Sequence, residues 1–263
     1  MRLDSTVQTA AAFDGVFKRR LEHPEVFAEH VGGKRQFSAI SVITRRDIAR
    51  HKNFLQSFKP FSPTLLDLGC GLSLYGYDLS RGLPSKYIGL DYSSVALQGI
   101  RESLETQDAK RFKLLWCSFE KLPLEDASAT HCLSFDAMYL ARSAHQSLQE
   151  VFRVMRCGSA IIFTTFCSEP GNRSQIAGPD HDWTTTAASL GFDIVGLFDV
   201  TDDWRRAMRR KHSARWRSRN KLRHIYGAWI EPEIQVSAAL LGEGGLAAQL
   251  DVTRRCEIHM RKP

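Results

Sequence analysis

The 263-residue sequence lacks the features that identify several large classes of protein. No apolar run approaches the roughly 20 residues needed to span a membrane, so no transmembrane helix and no membrane partner are predicted. The first residues contain no apolar stretch like that of a secretory signal, and we expect a cytoplasmic protein. There is no internal repeat and no low-complexity segment. The apolar content of 43% and the charged content of 25% are ordinary for a globular domain.

The six cysteines also lack a recognisable pattern. None of them forms a Cys-x-x-Cys pair, so neither a zinc site nor a disulfide framework is predicted, and we expect no bound metal. Several lie in apolar strand patterns, where cysteine behaves as a small hydrophobic residue, which fits a reducing cytoplasm. The cysteines are Cys70, Cys117, Cys132, Cys157, Cys167 and Cys256.

The most informative stretch is TLLDLGCGLS at residues 64–73. Its apolar residues predict a buried parallel strand. Gly69 and Gly71 then predict a turn at which the main chain bends sharply and a ligand can approach closely. A second strand, at residues 87–90, ends in Asp91 about 20 residues later, which is the spacing of a nucleotide-binding strand–turn–helix–strand unit. A carboxylate at that point can accept hydrogen bonds from both hydroxyls of a ribose.

Two residues near this turn distinguish between the cofactors that use such a unit. The dinucleotide fingerprint Gly-x-Gly-x-x-Gly requires a third glycine, and Leu74 stands there instead. Asp67 would repel a pyrophosphate but suits a cation. S-adenosylmethionine has no phosphate and carries a sulfonium and an ammonium. The stretch resembles the first motif of the class I S-adenosylmethionine-dependent methyltransferases, acid-x-Gly-x-Gly-x-Gly, with Ser73 in place of the last glycine.

Two further segments resemble the same family. Residues 117–126, CSFEKLPLED, resemble its adenine-contacting segment, with Ser118 or Phe119 where the family usually has an acid. Ser118 can still accept a hydrogen bond, and Phe119 can stack on the adenine ring. Residues 152–158 resemble the family's helix-to-strand turn. The resemblance implies S-adenosyl-L-methionine as the cofactor, bound by Asp67, Gly69, Gly71, Asp91, Tyr92, Ser118, Phe119 and Phe135.

The predicted fold class is α/β, a Rossmann-like, seven-stranded, mostly parallel sheet with an antiparallel last strand. A helix is predicted at residues 93–105, with Ser93 or Ser94 as its N-cap. Further strands are predicted at residues 112–117, 131–135, 160–166, 192–200 and 251–260. The predicted division is an N-terminal helical cap at 1–60, a cofactor-binding core at 61–200, a helical lid at 201–250 and the last core strand at 251–263.

Candidates for proton transfer follow the fourth and fifth strands. Ligands in open α/β sheets bind beyond the carboxyl ends of the strands, so Asp136 and Tyr139 are expected to face the methyl-transfer site. His145 and His181 are further candidates for a general base, because the pKa of histidine lies near neutral pH. His181 is favoured over His145, since it lies in a polar Asp-His-Asp loop after strand five, although a lone histidine is often structural. The predicted catalytic set is His181, Tyr139 and Asp136.

The net charge of +7 is concentrated in a basic run at residues 205–223, which contains no acid. This run is open to three interpretations: it binds RNA phosphates, it binds an acidic small substrate or carrier protein, or it contacts a neighbouring subunit. The basic run consists of Arg205, Arg206, Arg209, Arg210, Lys211, Arg215, Arg217, Arg219, Lys221 and Arg223.

The favoured function is methyl transfer to a small metabolite or natural-product intermediate, by in-line displacement at the sulfonium methyl. Residues 135–138, Phe-Asp-Ala-Met, do not resemble the Asn-Pro-Pro-Tyr tetrad that clamps a nucleic-acid base, so a nucleic-acid substrate is less favoured. Whether the small molecule is anionic is left open, as are the acceptor atom and the oligomeric state. The alternatives are a methyltransferase for RNA or a carrier-bound substrate, and a non-catalytic S-adenosylmethionine-binding scaffold.

Overall fold

In the computed structural model, helices pack on both faces of a seven-stranded sheet. The structure describes residues 5–23, 43, 45–72, 75–80, 86–104, 111–168, 182–240 and 253–263. The helices are α1 (Ser5–Glu22), α2 (Arg45–Gln56), α3 (Tyr75–Ser80), α4 (Ser94–Ser103), α5 (Ala144–Val154), α6 (Trp183–Ser189), α7 (Thr201–Arg217), α8 (Arg219–Tyr226) and α9 (Glu231–Leu240). The strands are β1 (Thr64–Leu68), β2 (Lys86–Asp91), β3 (Phe112–Trp116), β4 (Ala129–Ser134), β5 (Met155–Ser168), β6 (Asp193–Asp199) and β7 (Thr253–Arg261).

The strand order is β3-β2-β1-β4-β5-β7-β6. β1 pairs in parallel with both β2 and β4, so that Leu66 lies beside Ile88 on one side and Cys132 on the other. β7 runs antiparallel to β5 and β6. The predicted fold class is therefore confirmed. From β1 the chain adds strands first toward one edge of the sheet (β2, β3) and then, from β4, toward the other edge. Ligands of open α/β sheets bind at the switch point between the two, here between β1 and β4.

The central strands are apolar on both faces because each face is covered by helices. β1 and β4 are buried along their whole length. Leu66 and Leu68 pack in the larger core cluster with Leu148 and Val151 of α5. Leu65, on the opposite face, packs with Leu55 of α2 in the second cluster. This double coverage leaves the carboxyl ends of the strands as the accessible edge of the sheet.

Helix α4 begins where the sequence predicts. The Ser93 side chain accepts a hydrogen bond from the main-chain N–H of Ala96 at 3.1 Å, so Ser93 is the N-cap. Asp14 of α1 reaches the same helix start, where its carboxylate accepts hydrogen bonds from the Ser93 hydroxyl and the Val95 N–H. An anion near a helix N-terminus is favourable, and this one ties α1 to the sheet next to Asp91.

The structure differs from the prediction at the start of β5. This strand begins at Met155 rather than at residue 160, because Met155 pairs with Ala129 before a register irregularity that precedes His131. The segment predicted as a helix-to-strand turn, residues 152–158, therefore has no separate turn, because α5 ends at Val154 and β5 begins at Met155. Gly158 keeps a left-handed φ of 77° there, which accounts for its turn-like sequence signature.

The predicted helical insertion between strands six and seven contains α7, α8 and α9. Arg215 of α7 contacts Glu233 of α9 at 3.0 Å, and a small apolar cluster with Leu222 and Ile230 joins these helices. Residues 241–252, the end of the predicted lid and the start of the predicted last strand, lie outside the described residues. The proposed domain division and the cytoplasmic location stay predictions. No described helix is both long and apolar enough to cross a membrane.

Candidate active site

A cavity with about 730 Å³ of open space, including the solvent at its mouth, lies at the carboxyl ends of β1, β2 and β4. The structure brings most of the predicted site residues into its lining: Asp67, Gly69, Gly71, Asp91, Tyr92, Phe119, Phe135 and Asp136. The switch point of the sheet and the glycine-rich turn thus meet in one cavity.

The turn after β1 has a conformation and a clearance that only glycine satisfies. Gly69 and Gly71 have φ values of 73° and 55°, in the left-handed region. A Cβ on Gly69 would lie 2.1 Å from the Cβ of Ala137. The N–H of Gly69 donates to the carbonyl of Leu90 at 2.7 Å, which fixes the turn against β2. The main chain is therefore held where it can pass close to a ligand.

Asp91, at the end of β2, is oriented by the main chain. Its two carboxylate oxygens accept hydrogen bonds from the N–H of Gly71 and the N–H of Ser93, each at 2.8 Å. Burial raises the pKa of Asp91, and these N–H donors act in the opposite direction. Each carboxylate oxygen has a second lone pair, so Asp91 can still accept hydrogen bonds from a ligand in the cavity.

Asp67 is a buried carboxylate, and the hydrogen bond that it accepts from a described side chain comes from a neutral hydroxyl. The hydroxyl of Tyr87 donates to its Oδ2 at 2.7 Å. Burial and the charge of Asp91 raise the pKa of Asp67 to about 7, although the Tyr87 hydroxyl opposes this. Among the ion pairs formed by the described residues, none involves Asp67. A cation placed beside Asp67 would favour its ionised form.

Two aromatic rings form the wall of the cavity beyond Asp91. The rings of Tyr92 and Phe119 lie 4.8 Å apart, and both residues line the cavity. Ser118, also predicted to contact adenine, is half-buried next to Phe119 but does not line the cavity. The predicted contact between Ser118 and the cofactor therefore stays a prediction.

The predicted catalytic residues separate in the structure. Asp136 lines the cavity and forms an ion pair with Arg255, in which Asp136 Oδ1 lies 2.5 Å from Arg255 Nη1. Tyr139 does not line it, because its ring packs edge-on against Phe166 at 5.0 Å and burial raises the pKa of its hydroxyl. His145 is exposed on α5, and His181 lies outside the described residues. The catalytic roles of His181, Tyr139 and Asp136 stay predictions.

Helix α1 contributes residues that the sequence did not identify as site residues. Phe13, Phe17 and Arg20 line the cavity from this helix. Burial lowers the pKa of the Arg20 guanidinium to about 10, still above neutrality, so the residue places a positive charge in the wall. In the sequence, Phe13 and Phe17 share the apolar spacing of one helix face. Nothing in that spacing distinguishes a residue that faces a cavity from one that faces a core.

A second, smaller cavity of about 270 Å³ adjoins the first. Ile43 and Phe135 line both cavities. Polar and charged side chains of α2, β5 and β7 line the smaller one together with two lid-side residues: Asp47, His51, Thr164, Val200, Trp204, Arg255 and Glu257. Sequence reasoning missed this cluster. Its available signal was the Arg-x-Glu-x-His pattern at residues 255–259, a polar face on an otherwise apolar strand.

No group of three or more His, Cys, Asp or Glu side chains within the described ranges could hold a metal ion. Carboxylates, guanidiniums, an imidazole and hydroxyls line the two cavities. The larger cavity offers buried carboxylates near a glycine turn. The smaller one offers a network of ionisable groups.

Comparison with known proteins agrees with this geometry. A family model described as "Methyltransferase domain" matches residues 62–209. A Mycolicibacterium smegmatis protein named "Probable S-adenosylmethionine-dependent methyltransferase" is 30% identical over 146 residues, 52% of this chain and 54% of that protein. The chain spans about half the length of the curated relatives it matches.

Solved structures share the fold at low sequence identity. The cyclase SpnF is 14% identical with a TM-score of 0.72, covering 95% of this chain and 97% of its own. A Haemonchus contortus phosphoethanolamine N-methyltransferase, solved with phosphomonomethylethanolamine and S-adenosylhomocysteine, is 14% identical with a TM-score of 0.73, covering 94% and 58%. Because the family model matches more than half of the chain, this protein belongs to the class I S-adenosylmethionine-dependent methyltransferases. The predicted family and its cofactor are confirmed.

Proposed function

We propose that this methyltransferase binds S-adenosyl-L-methionine in the larger cavity and transfers its methyl group to a small molecule. The observation that carries the proposal is the placement of Asp91 and the Gly69–Gly71 turn in one cavity at the switch point of the sheet. A nucleoside needs a hydrogen-bond acceptor for its ribose and a main chain that lets it approach. This cavity has both.

Each end of the donor has a matching group in the wall. Asp91 would accept hydrogen bonds from the ribose hydroxyls, and each such charge-assisted bond contributes roughly 1.5–3 kcal/mol. Tyr92 and Phe119 offer aromatic surface for the adenine ring. Asp67 would face the ammonium of the methionine portion, and Arg20 offers a guanidinium for its carboxylate.

The donor supplies an activated methyl group with a good neutral leaving group, so the protein mainly has to orient the acceptor. Orientation of this kind can lower a barrier by on the order of 7–11 kcal/mol. The smaller cavity, which shares Ile43 and Phe135 with the larger one, is where we place the acceptor. Arg255 in its wall is paired with Asp136, so its charge does not favour an anionic acceptor. A neighbour of the same fold was solved with a small phosphorylated amine, which supports a small-molecule acceptor.

The basic run gives less support to an RNA substrate than its sequence suggests. In the structure, several of its cations contact groups within the lid itself. Arg206 pairs with Asp203, Arg215 with Glu233 and Arg223 with Glu231. Arg219 stacks over the ring of Trp216, 4.4 Å from its centroid. Charges that are satisfied within one protein chain are less available to a phosphate backbone.

The test begins with calorimetric titration of S-adenosylhomocysteine, with a nicotinamide dinucleotide as the control ligand. We expect the first to bind and the second not to. The protein is then incubated with methyl-tritiated S-adenosylmethionine and either the deproteinised small-molecule fraction of a cell extract or total RNA. Label in a small molecule supports the proposal. Label in RNA, with binding that weakens steeply with salt and on neutralising Arg209, Arg210 and Lys211, would replace it with the nucleic-acid alternative.

A third outcome separates an enzyme from a binder. If S-adenosylhomocysteine binds but neither fraction becomes labelled, the non-catalytic scaffold is favoured. If neither S-adenosylhomocysteine nor S-adenosylmethionine binds, the proposed function is wrong at its first step.

A further inference from the structure

A buried hydrogen-bonded chain connects β7 to the larger cavity. The carboxylate of Glu257 accepts hydrogen bonds from Arg50 Nε at 2.7 Å and Nη2 at 2.6 Å, and contacts His259 Nε2 at 2.5 Å. Its Oε2 also lies 2.8 Å from His51 Nε2. On the other side of the same imidazole, His51 Nδ1 lies 2.7 Å from the hydroxyl of Tyr75. The imidazole of His51 thus bridges a carboxylate and a phenol.

The ionisation of the two end groups fixes the direction of these hydrogen bonds. Burial alone would raise the pKa of Glu257, but hydrogen bonds from Arg50, His259 and His51 outweigh it and the pKa is lowered. Burial raises the pKa of the Tyr75 hydroxyl, which therefore keeps its proton at neutral pH. An ionised Glu257 only accepts, so His51 donates to it from Nε2. Nδ1 of the neutral imidazole is then the acceptor for the Tyr75 O–H.

The hydrogen-bonded chain reaches from the smaller cavity to the larger one. Tyr75 lines the larger cavity beside Asp67 and Gly71, whereas His51 and Glu257 line the smaller one. The ring of Phe135, which lines both, lies 4.6 Å from the imidazole of His51 and 5.1 Å from the ring of Tyr75. Tyr75 therefore lies at the junction of the two cavities.

We propose that Tyr75 is a catalytic residue that takes the proton of the methyl acceptor while passing its own proton to His51, which Glu257 positions. This inference rests on the proposed function. In the step, the sulfonium C–S bond breaks with its electron pair going to sulfur, and the acceptor forms a bond to the methyl carbon. The acceptor's proton goes to the Tyr75 oxygen, and the Tyr75 proton goes to Nδ1 of His51. The resulting imidazolium is held by the Glu257 carboxylate.

The relay specifies a class of substrate. It serves an acceptor that must lose a proton on methylation, such as a hydroxyl group, a carbon acid or a protonated amine. A thioether or an unprotonated tertiary amine has no such proton and would not require it. The structure therefore assigns this site to the first class of acceptors.

Charged and titratable groups from three elements surround His51. α2 contributes Arg50 and Asp47, β7 contributes Glu257 and His259, and α3 contributes Tyr75, which itself feels the charge of Asp67. The relay requires the neutral form of His51, because only a neutral imidazole can accept the proton of Tyr75.

A purely structural role must be separated from the relay, because the same contacts tie α2 to β7. Tyr75→Phe keeps the ring that packs on Phe135 and removes only the hydroxyl. Tyr77→Phe is the matched control: Tyr77 is a buried tyrosine on the same helix, its ring packs on Phe112 at 4.6 Å, and it lines neither cavity.

The probe is methyl-tritiated S-adenosylmethionine with the small-molecule fraction of a cell extract. We expect Tyr75→Phe to lower the turnover rate at least 100-fold, within the range of about 10²–10⁴ for general acid–base catalysis. Its affinity for S-adenosylhomocysteine should change less than threefold. Tyr77→Phe should stay within threefold in both. Equal loss in the two variants, or an unchanged rate in Tyr75→Phe, would overturn the relay.

An acceptor-independent measurement separates failure of the relay from failure of the proposed function. Nitrogen-15 NMR of histidine side chains in the full chain, with and without S-adenosylhomocysteine, reports the tautomer of His51. We expect a protonated Nε2 and an unprotonated Nδ1 at neutral pH. The opposite tautomer would overturn the relay even if the protein binds the donor, whereas the expected tautomer without donor binding would overturn only the proposed function.

Discussion

The buried carboxylates of this protein occupy two contrasting settings. Asp67 and Asp91, at the ends of β1 and β2, accept hydrogen bonds from a phenol and from main-chain N–H groups, and burial raises the pKa of both. Glu257, on β7, is equally buried but contacts Arg50, His51 and His259, and its pKa is lowered. No described lysine or arginine forms an ion pair with Asp67 or Asp91. The fold supplies the counter-charge in one setting and leaves it to be supplied in the other.

This difference distinguishes carboxylates that can bind a ligand from a carboxylate whose charge is already balanced within the fold. A desolvated carboxylate without a cation lowers stability, and such groups concentrate at functional sites. In the proposed complex, the ammonium of S-adenosylmethionine would bring positive charge to Asp67, and its ribose hydroxyls would donate hydrogen bonds to Asp91. Glu257 needs no ligand, because its cations belong to the chain, and it serves as a fixed negative charge behind His51.

The largest expected effect is on the carboxylate that would hold the ribose. Asp91→Ala removes two charge-assisted hydrogen bonds, together about 3–6 kcal/mol. The affinity for S-adenosylhomocysteine should fall by roughly 10²–10⁴-fold in calorimetry. Asp126→Ala, which removes an exposed partner of Arg153, is the control and should bind normally. Binding by Asp91→Ala within threefold of wild type would refute the assignment of Asp91.

The next effect concerns stability rather than binding. Glu257→Gln leaves Arg50, and any protonated histidine beside it, without a buried counter-charge, and breaking a buried ion pair in this way costs about 3–5 kcal/mol. Urea unfolding should show a loss of this size. Glu150→Gln, at a partly exposed ion pair with Arg153, should lose much less. Equal losses of stability in Glu257→Gln and Glu150→Gln would contradict the claim that Glu257 is a buried, balanced charge on which the fold depends.

At high pH, Asp67→Asn should raise the free energy of unfolding rather than lower it. The pKa of Asp67 is raised to about 7, so its favourable contribution is complete below the ordinary value of 3.8 and is lost as pH rises through 7. Wild type should therefore lose up to about 4 kcal/mol between pH 4 and pH 8 that the asparagine variant keeps. If the free energies of unfolding of the two proteins changed equally with pH across this range, the raised pKa of Asp67 would be contradicted.

The smallest effect, on the affinity for S-adenosylhomocysteine, is expected from residues that lie away from both groups of buried carboxylates. Arg209 and Arg210 are exposed on α7, away from the lining of either cavity. The double variant Arg209→Ser/Arg210→Ser should bind S-adenosylhomocysteine within twofold of wild type in calorimetry. A large loss would show that general surface charge, rather than the two buried carboxylates, controls donor binding.

The glycine turn and the two carboxylates of the larger cavity were predictable because their determinants are local in the sequence. Asp67, Gly69 and Gly71 lie in one strand and its turn, and Asp91 ends the next strand. The left-handed φ values of the two glycines are a property of the turn itself. Ser93 was identifiable as a cap because capping also depends only on neighbouring residues. The mostly parallel sheet with an antiparallel last strand was expected from the resemblance to the family.

The second setting was not predictable because it depends on long-range packing. His51 is 24 residues from Tyr75 and 206 from Glu257 in sequence. Their contact requires α2 to pack against β7, which no spacing encodes. Asp136 was expected to face substrate, but its ion pair with Arg255 depends on β7 pairing with β5. The alternation of Arg255, Glu257 and His259 was a usable sign of a polar strand face, without indicating its partners.

The most direct test of this account is a crystal structure of the protein with S-adenosylhomocysteine. The account predicts ribose hydroxyls within hydrogen-bond distance of Asp91, an amino group facing Asp67, and Glu257 still bound to Arg50 and His51. A nucleoside bound away from Asp91, or a nicotinamide dinucleotide in the same cavity, would contradict it.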